Sequence, residues 1–177
     1  MREGKVSSLI LVTGGVRSGK SNYAQGIAKS LNTKVVYIAT AEALDADMKK
    51  RIRLHKKSRD KRWTTIEEPL DVLRVVKKFP ADTRVVLLDC LTLLISNLIF
   101  KGLSDKAVCS EVKAILKVLR QKADTSIVVT NEVGSGIVPD NRLARRFRDL
   151  QGRVNQIVSS AADCVYLLVS GVPVKIK

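Results

Sequence analysis

The run Leu9-Ile10-Leu11-Val12 leads through Thr13 into Gly14-Gly15-Val16-Arg17-Ser18-Gly19-Lys20-Ser21, and a helical pattern follows over residues 20–31. Few patterns constrain a fold as tightly: this is a complete G-x-x-x-x-G-K-[ST] loop set between an apolar strand and a helix. Glycines in such a loop let backbone N–H groups converge on phosphate oxygens, and the helix N-terminus adds its positive end. Lys20 is then placed to reach the β and γ phosphates, and the Ser21 hydroxyl to ligate Mg²⁺. A glycine-rich turn with an incidental Lys-Ser pair would need neither flank, and both are there.

The rest of the chain agrees with an α/β fold. Short, unalternated apolar runs recur at residues 35–39, 85–88, 127–130 and 165–169, as expected for parallel strands covered on both faces. Between them the spacing predicts helices over 20–31, about 46–59, 70–79, 104–123 and 141–161, with Pro69, Ser104 and Pro139-Asp140 as boundary signals. In the last of these, Leu143, Phe147, Leu150, Val154, Ile157 and Ala161 recur at steps of three and four, which predicts one buried stripe. The expected class is α/β, P-loop NTPase-like, with a mainly parallel sheet wrapped by helices. No repeat or Pro/Gly/Ser-rich linker divides the 177 residues, so 1–177 reads as a single nucleotide-binding domain.

A second acidic element should hold the metal or its waters. Asp89 ends the run Val85-Val86-Leu87-Leu88 as the acid of a Walker B element does; the competing reading is an Asp capping a helix that begins at Leu91. Glu132 follows Ile127-Val128-Val129-Thr130-Asn131, as a second polar site group or as a turn residue. Both acids fall at the carboxyl ends of expected strands, where ligands bind in open α/β sheets. His55 is the single histidine. Leu44, Met48, Ile52 and His55 share a helix face, with Lys49, Lys50, Arg51, Arg53, Lys56 and Lys57 around it. Spacing permits two readings: a histidine at the margin of an apolar stripe, or a neutral, nucleophilic imidazole beside Lys56, Lys57 and Arg59, which would neutralise phosphates.

Thirty-two Lys and Arg against 17 Asp and Glu give a formal charge of +15, which points to an anionic partner. Aromatics are only 4% and do not interleave with the basic residues, so stacking platforms for single-stranded nucleic acid are not evident. The most apolar stretch, 85–100, is shorter than the roughly 20 residues of a membrane span and contains Asp89, Ser96 and Asn97. Cys90, Cys109 and Cys164 are odd in number and unclustered, and residues 1–8 lack the apolar run of a signal peptide. A cytoplasmic protein is expected, with neither a disulfide framework nor a zinc site.

Further blocks follow the phosphate loop: Tyr37-Ile38-Ala39-Thr40-Ala41; Arg51-Ile52-x-x-His55-x-x-x-Arg59 with Trp63 and Glu67; and Leu88-Asp89-Cys90-Leu91-Thr92 with Ser96-Asn97. Then come Thr130-Asn131-Glu132-Val133-Gly134-x-Gly136-Ile137-Val138-Pro139, and Asn141-Arg142-Leu143-Ala144-Arg145 with Phe147-Arg148-Asp149 and Gly152-Arg153-Val154-Asn155-Gln156. With these blocks, the chain from Leu11 almost to Lys177 closely resembles the bifunctional adenosylcobinamide kinase/adenosylcobinamide-phosphate guanylyltransferase family of cobalamin biosynthesis.

The resemblance implies a transferase with two reactions. The γ-phosphate of ATP or GTP passes to the aminopropanol hydroxyl of adenosylcobinamide; GTP then donates GMP to the resulting phosphate, giving adenosylcobinamide-GDP and pyrophosphate. The family's guanylylated histidine falls on His55, with Lys20 as the second catalytic group. By the same carry-over, Gly14, Gly15, Val16, Arg17, Ser18, Gly19, Lys20 and Ser21 hold nucleotide phosphates. Ala39, Thr40, Ala41, Lys56, Lys57, Ser58, Arg59, Glu67 and Asp89 match positions that contact guanine nucleotide or its metal, with Ser21 and Asp89 as the Mg²⁺ ligands. Glu67 also reads as a surface acid beside Glu68. The stretch 131–139 with Arg142, Arg145 and Arg148 reads either as an acceptor for the corrinoid or its phosphate or as a solvated basic face. Relatives assemble as trimers, so the resemblance implies a homotrimer acting on small molecules, without nucleic acid and without a membrane span. The competing class is a nucleic-acid-stimulated P-loop ATPase, motivated by the charge; a non-catalytic nucleotide-binding regulator is the other.

Overall fold

The computed structural model describes residues 7–43, 45–80 and 82–177, with the side chains of Asp47, Arg51 and Ser58 outside that description. Thirteen elements follow in order: β1 (Ser8–Gly14), α1 (Lys20–Ser30), β2 (Val35–Ala39), α2 (Ala46–Ser58), β3 (Thr64–Glu67), α3 (Val72–Lys77), β4 (Val85–Asp89), α4 (Leu91–Phe100), α5 (Asp105–Lys122), β5 (Thr125–Val129), α6 (Arg142–Ala161), β6 (Cys164–Val169) and β7 (Val172–Lys175). The strands form one seven-stranded sheet in the order β3-β2-β4-β5-β1-β6-β7. Every neighbouring pair is parallel except β6 with β7. The expected α/β class, with a mainly parallel sheet wrapped by helices, is what forms.

Alternate residues of each strand feed two separate cores. Leu9, Leu11, Ile38, Val86, Leu88, Val128 and Val165 pack with α3, α4, α5 and α6 on one face. Val12, Tyr37, Ala39, Leu87, Ile127, Val129 and Leu168 pack with Ala24 and Ala28 of α1 and with Trp63 on the other. Burial on both faces is why the central strands read as continuous apolar runs.

Three elements were not legible as runs. β3 is a short edge strand whose residues are exposed or half-buried, so no apolar signal marks it. β7 is exposed along its whole length and follows a two-residue turn, Ser170-Gly171, with positive φ at both positions (50° and 88°), the type I′ geometry that suits a hairpin. α4 is apolar on nearly every side, so it merges with β4 into one hydrophobic stretch, and periodicity cannot separate strand from helix there.

The expected stripe on α6 needs correction. Leu150, Gln151, Val154 and Val158 are the buried set, whereas Leu143 is exposed and Phe147, Ile157 and Ala161 are only partly covered. All of the expected residues but Leu143 still pack on the core, and the buried set extends to Gln151 and Val158, where a polar cluster sits. The Gln151 amide donates to Thr130 Oγ1 (2.9 Å) and Asn155 Oδ1 (2.8 Å), and the Asn155 amide donates to the Asn131 carbonyl (3.0 Å). Thr92 Oγ1 in turn accepts from the Asn131 N–H (2.7 Å). Buried polar groups bonded in this way specify one packing of α4, α6 and the end of β5, with Gln151 Oε1 left without a partner.

Asn97 of α4 does the same beneath the other half of the sheet edge: its amide donates to the carbonyls of Thr40 (3.0 Å) and Pro69 (2.9 Å), tying the segments after β2 and β3 together. Asn97→Ala deletes both bonds at a buried position and should cost about 1–3 kcal/mol. Thermal melting checks it, with a Tm lowered by several degrees as the expected outcome.

Candidate functional site

The phosphate loop is built by close approach of backbones. Gly14 has φ of 146°, and a Cβ there would lie 2.5 Å from the Leu168 carbonyl oxygen of β6. Only glycine fits. Gly19, with φ of 91°, forms the N-cap of α1, and Arg17 takes a left-handed turn at φ 55°. Gly15, Val16 and Arg17 form an exposed rim, while Gly14, Ser18 and Lys20 are buried beneath it. The Lys20 ammonium donates to the Gly15 carbonyl and, at 3.4 Å, to Ser18 Oγ, so it lies folded under the loop. The loop is braced from two sides: the Gly171 N–H of the β6–β7 turn donates to the Ser18 carbonyl (3.1 Å), and the Glu132 N–H donates to the Gly14 carbonyl (3.0 Å).

Strand register places the other candidates along one line at the carboxyl edge. Glu67 pairs with Ala39, Ala39 with Asp89, Asp89 with Val129, and Val129 with Val12. Four inter-strand steps of about 4.8 Å each separate the phosphate-loop strand from Glu67 by roughly 19 Å. The candidates therefore form two clusters on one edge. The loop residues Gly14 to Ser21 lie at β1; Ala39, Ala41, Glu67 and the C-terminal end of α2 lie at β2 and β3; Asp89 stands between.

Asp89 does not cap α4, whose N-cap residue is Cys90 without a side-chain cap bond. Its Oδ2 accepts from the Tyr37 hydroxyl at 2.6 Å. Burial, then the Asp89 charge and hydrogen bond, push the Tyr37 hydroxyl well above its ordinary range, with Arg59 opposing. The Arg59 guanidinium lies 4.1 Å above the Tyr37 ring centre, and Trp63 stacks on the same ring at 6.3 Å and 22°. Tyr37 was part of a sequence block but had no role there; its contact with Asp89, 52 residues away, has no local signal.

At the β2 end, every polar group of Thr40 is engaged in holding the edge. Its N–H donates to the Asp89 carbonyl, its hydroxyl donates to the Cys90 carbonyl (2.6 Å) and accepts from the Cys90 N–H (2.9 Å), and its carbonyl takes Asn97. Glu67 is exposed and forms an ion pair with Lys56 of α2, while Glu68 accepts from the N–H groups of Leu70 and Asp71. Lys56, expected to face a phosphate, thus has a carboxylate partner, and Lys57 is exposed. His55 is half-buried on the face of α2 that carries Met48 and Ile52; Leu44, expected on that face, and the Ser58 side chain lie outside the described residues.

The Glu132 side chain is engaged as a turn residue, its Oε1 accepting from the Gly134 N–H (2.8 Å), while its backbone N–H braces the loop. Of the basic residues after it, Arg145 is tied to the carbonyls of Pro139 and Asp140, and Arg148 has a buried Nη1 without a hydrogen-bond partner. A basic groove of about 830 Å³ between α5 and α6, lined by Lys113, Lys117, Arg120 and Arg153, contains none of the site residues.

A family model described as cobinamide kinase / cobinamide phosphate guanyltransferase matches residues 10–176. The chain belongs to this family. Within it, the bifunctional adenosylcobalamin biosynthesis protein CobU of Salmonella typhimurium (strain LT2) is 42% identical over 183 residues, covering 96% of this chain and 99% of that protein. The protein of the same name from Escherichia coli (strain K12) is 40% identical over 181 residues with the same coverage. Among solved structures, an ATPase from the type III secretion system of pathogenic bacteria shares the fold, with a TM-score of 0.61 at 12% identity over 93% of this chain and 51% of that one.

For a kinase and guanyltransferase, the chemistry of the edge depends on oxygen donors. The Ser21 hydroxyl and the Asp89 carboxylate are hard oxygen donors of the kind Mg²⁺ takes, and could hold it in a site completed by substrate phosphates. Next to Asp89, burial and then the Asp89 charge push the Cys90 thiol from 9.0 up to about 12, so at neutral pH it is a protonated thiol and no nucleophile. In the unfolded chain this thiol ionises near its ordinary value, so the unfolded state loses the proton first as pH rises. The stability contribution is whole below pH 9 and is lost on going toward pH 12. Thermal melts of the metal-free protein should therefore decline over that window, and Cys90→Ser should decline less steeply.

Proposed function

We propose that this chain performs both reactions of its family on one nucleotide-binding edge: phosphorylation of adenosylcobinamide, then transfer of GMP from GTP to adenosylcobinamide phosphate. The observation that carries the reading is the pairing, on one sheet edge, of an intact phosphate loop with the His55-bearing basic end of α2.

In the first reaction the loop N–H groups of residues 14–21 and Lys20 hold the β and γ phosphates. Ser21 and Asp89 would hold Mg²⁺, which would supply positive charge to the phosphates. The aminopropanol oxygen attacks the γ-phosphorus as its hydroxyl proton passes to water, the bond from that phosphorus to the β–γ bridging oxygen breaks, and the nucleoside diphosphate leaves with the negative charge. ATP and GTP both satisfy these contacts. In the second reaction an imidazole nitrogen of His55 attacks the α-phosphorus of GTP, and the bond to the α–β bridging oxygen breaks, releasing pyrophosphate. The phosphate oxygen of adenosylcobinamide phosphate then attacks that phosphorus and breaks the N–P bond, which returns the imidazole. Lys57 and Arg59, and Lys56 once the nucleotide displaces Glu67 from it, supply positive charge to the α-phosphate. Ala39, Ala41 and Glu67 are the proposed contacts to guanine, with Thr40 holding the segment and Ser58 completing the run.

Family membership favours this reading over a nucleic-acid-stimulated ATPase. No helix among the described residues is long and apolar enough to cross a membrane. A cytoplasmic homotrimer is the proposed working form, and light scattering tests the assembly.

The experiment is intact-protein mass after incubation with GTP and Mg²⁺. A GMP-sized increment is expected on the native chain and none on His55→Ala; no increment under conditions where GTP binds would overturn the transferase half. Lys20→Ala should lower the kinase rate on the order of 10²-fold or more, the scale of losing a preorganised charge from a phosphoryl-transfer site, as steady-state assays of adenosylcobinamide phosphate would read.

A further inference from the structure

The two clusters on the sheet edge are joined by one side chain. Tyr37 is 1% exposed and faces the α1 side of the sheet, on the strand beside β4. A buried tyrosine hydroxyl needs an acceptor, and any backbone carbonyl would satisfy that need. Here the acceptor is the Asp89 carboxylate at 2.6 Å, a short charge-assisted bond that fixes one oxygen of the group and hence its rotamer. The same ring has Arg59 above it at 4.1 Å and Trp63 stacked against it. Arg59 Nε is buried without a hydrogen-bond partner, and the guanidinium is retained by the face of the Tyr37 ring together with its contact to the Tyr37 hydroxyl. None of the described residues of α2 is fully buried; the helix is secured near its C-terminal end, through Lys56 to Glu67 and through Arg59, its C-cap, to Tyr37.

We propose that Tyr37 is a positioning residue that couples the two chemistries: its hydroxyl holds Asp89 for the metal-bound phosphates, and its ring seats Arg59 and with it the His55 end of α2. The assignment rests on the roles of Asp89 and His55 proposed above. It goes beyond them in making the geometry at one end of the site depend on the other. The hydroxyl meets both Asp89 and Arg59, whereas the ring face carries Arg59, so the share of the ring is what Tyr37→Leu loses beyond Tyr37→Phe.

Tyr37→Phe keeps the ring and removes the hydroxyl. Equilibrium dialysis with labelled GTP over a range of Mg²⁺ should show the half-saturating Mg²⁺ concentration raised about tenfold, the scale of one lost charge-assisted bond, with GTP binding in EDTA unchanged. Tyr37→Leu removes the ring as well, and the rate of GMP adduct formation should fall about tenfold further than in Tyr37→Phe. Circular dichroism establishes that each variant folds. Arg59→Lys, which retains the charge but loses the planar stack, tests the ring contact without opening the core and should slow the adduct likewise. An unchanged Mg²⁺ dependence in Tyr37→Phe would reduce the hydroxyl to core packing. Equal adduct rates in the Phe and Leu variants, or an undiminished rate in Arg59→Lys, would overturn the seating of α2. A native chain that forms no adduct refutes the His55 reading instead, while the dialysis still decides the tie between Tyr37 and Asp89.

Discussion

The site depends on the parallel ladder that seats β1 between β5 and β6. That placement brings the Leu168 carbonyl of β6 so near Gly14 that no side chain fits, and it sets the Glu132 and Gly171 N–H groups against the loop from opposite sides. The loop is therefore shaped by its neighbours before any phosphate arrives. Preorganised donors need no reorganisation on binding, which is where most of their catalytic value lies. Lys20, folded onto the Gly15 carbonyl, exchanges one oxygen ligand for another on meeting a phosphate and so keeps its charge solvated throughout.

Along the same edge, the strand order separates the loop from Glu67 by four steps. The proposed roles, a triphosphate held at β1 and a nucleophilic His55 near β3, would call for two modes of binding or for movement of the α2 end between them. The attachments of that end are few: an exposed ion pair, Lys56 to Glu67, contributes little in water, and the main tie is Arg59 on Tyr37. The core beneath is the opposite case, with Thr40, Asn97, Gln151 and Asn155 making hydrogen bonds that fix the strand ends.

What could be read from the sequence followed from how local each signal is. The phosphate loop, its strand and its helix are contiguous, so their chemistry was visible as a string. The central strands were visible because burial on both faces leaves unbroken apolar runs. β3 and β7 were not, since an edge strand has no such burial, and α4 was hidden by being apolar all round. Gln151 gave no local signal, because its partner Thr130 comes from another element. The engagement of Thr40 with Cys90 and of Tyr37 with Asp89 spans 50 and 52 residues, and no spacing rule reaches that far. His55 was ambiguous by spacing alone, and family resemblance, not helix periodicity, singled it out.

The central claim is that GMP passes through His55 on its way to the corrinoid. A pulse with GTP labelled at the α-phosphorus, removal of free nucleotide, and a chase with adenosylcobinamide phosphate tests it most directly. The account predicts that label leaves the protein and appears in adenosylcobinamide-GDP at a rate no slower than steady-state turnover. Label that stays on the chain while product forms at the normal rate from fresh GTP would contradict it.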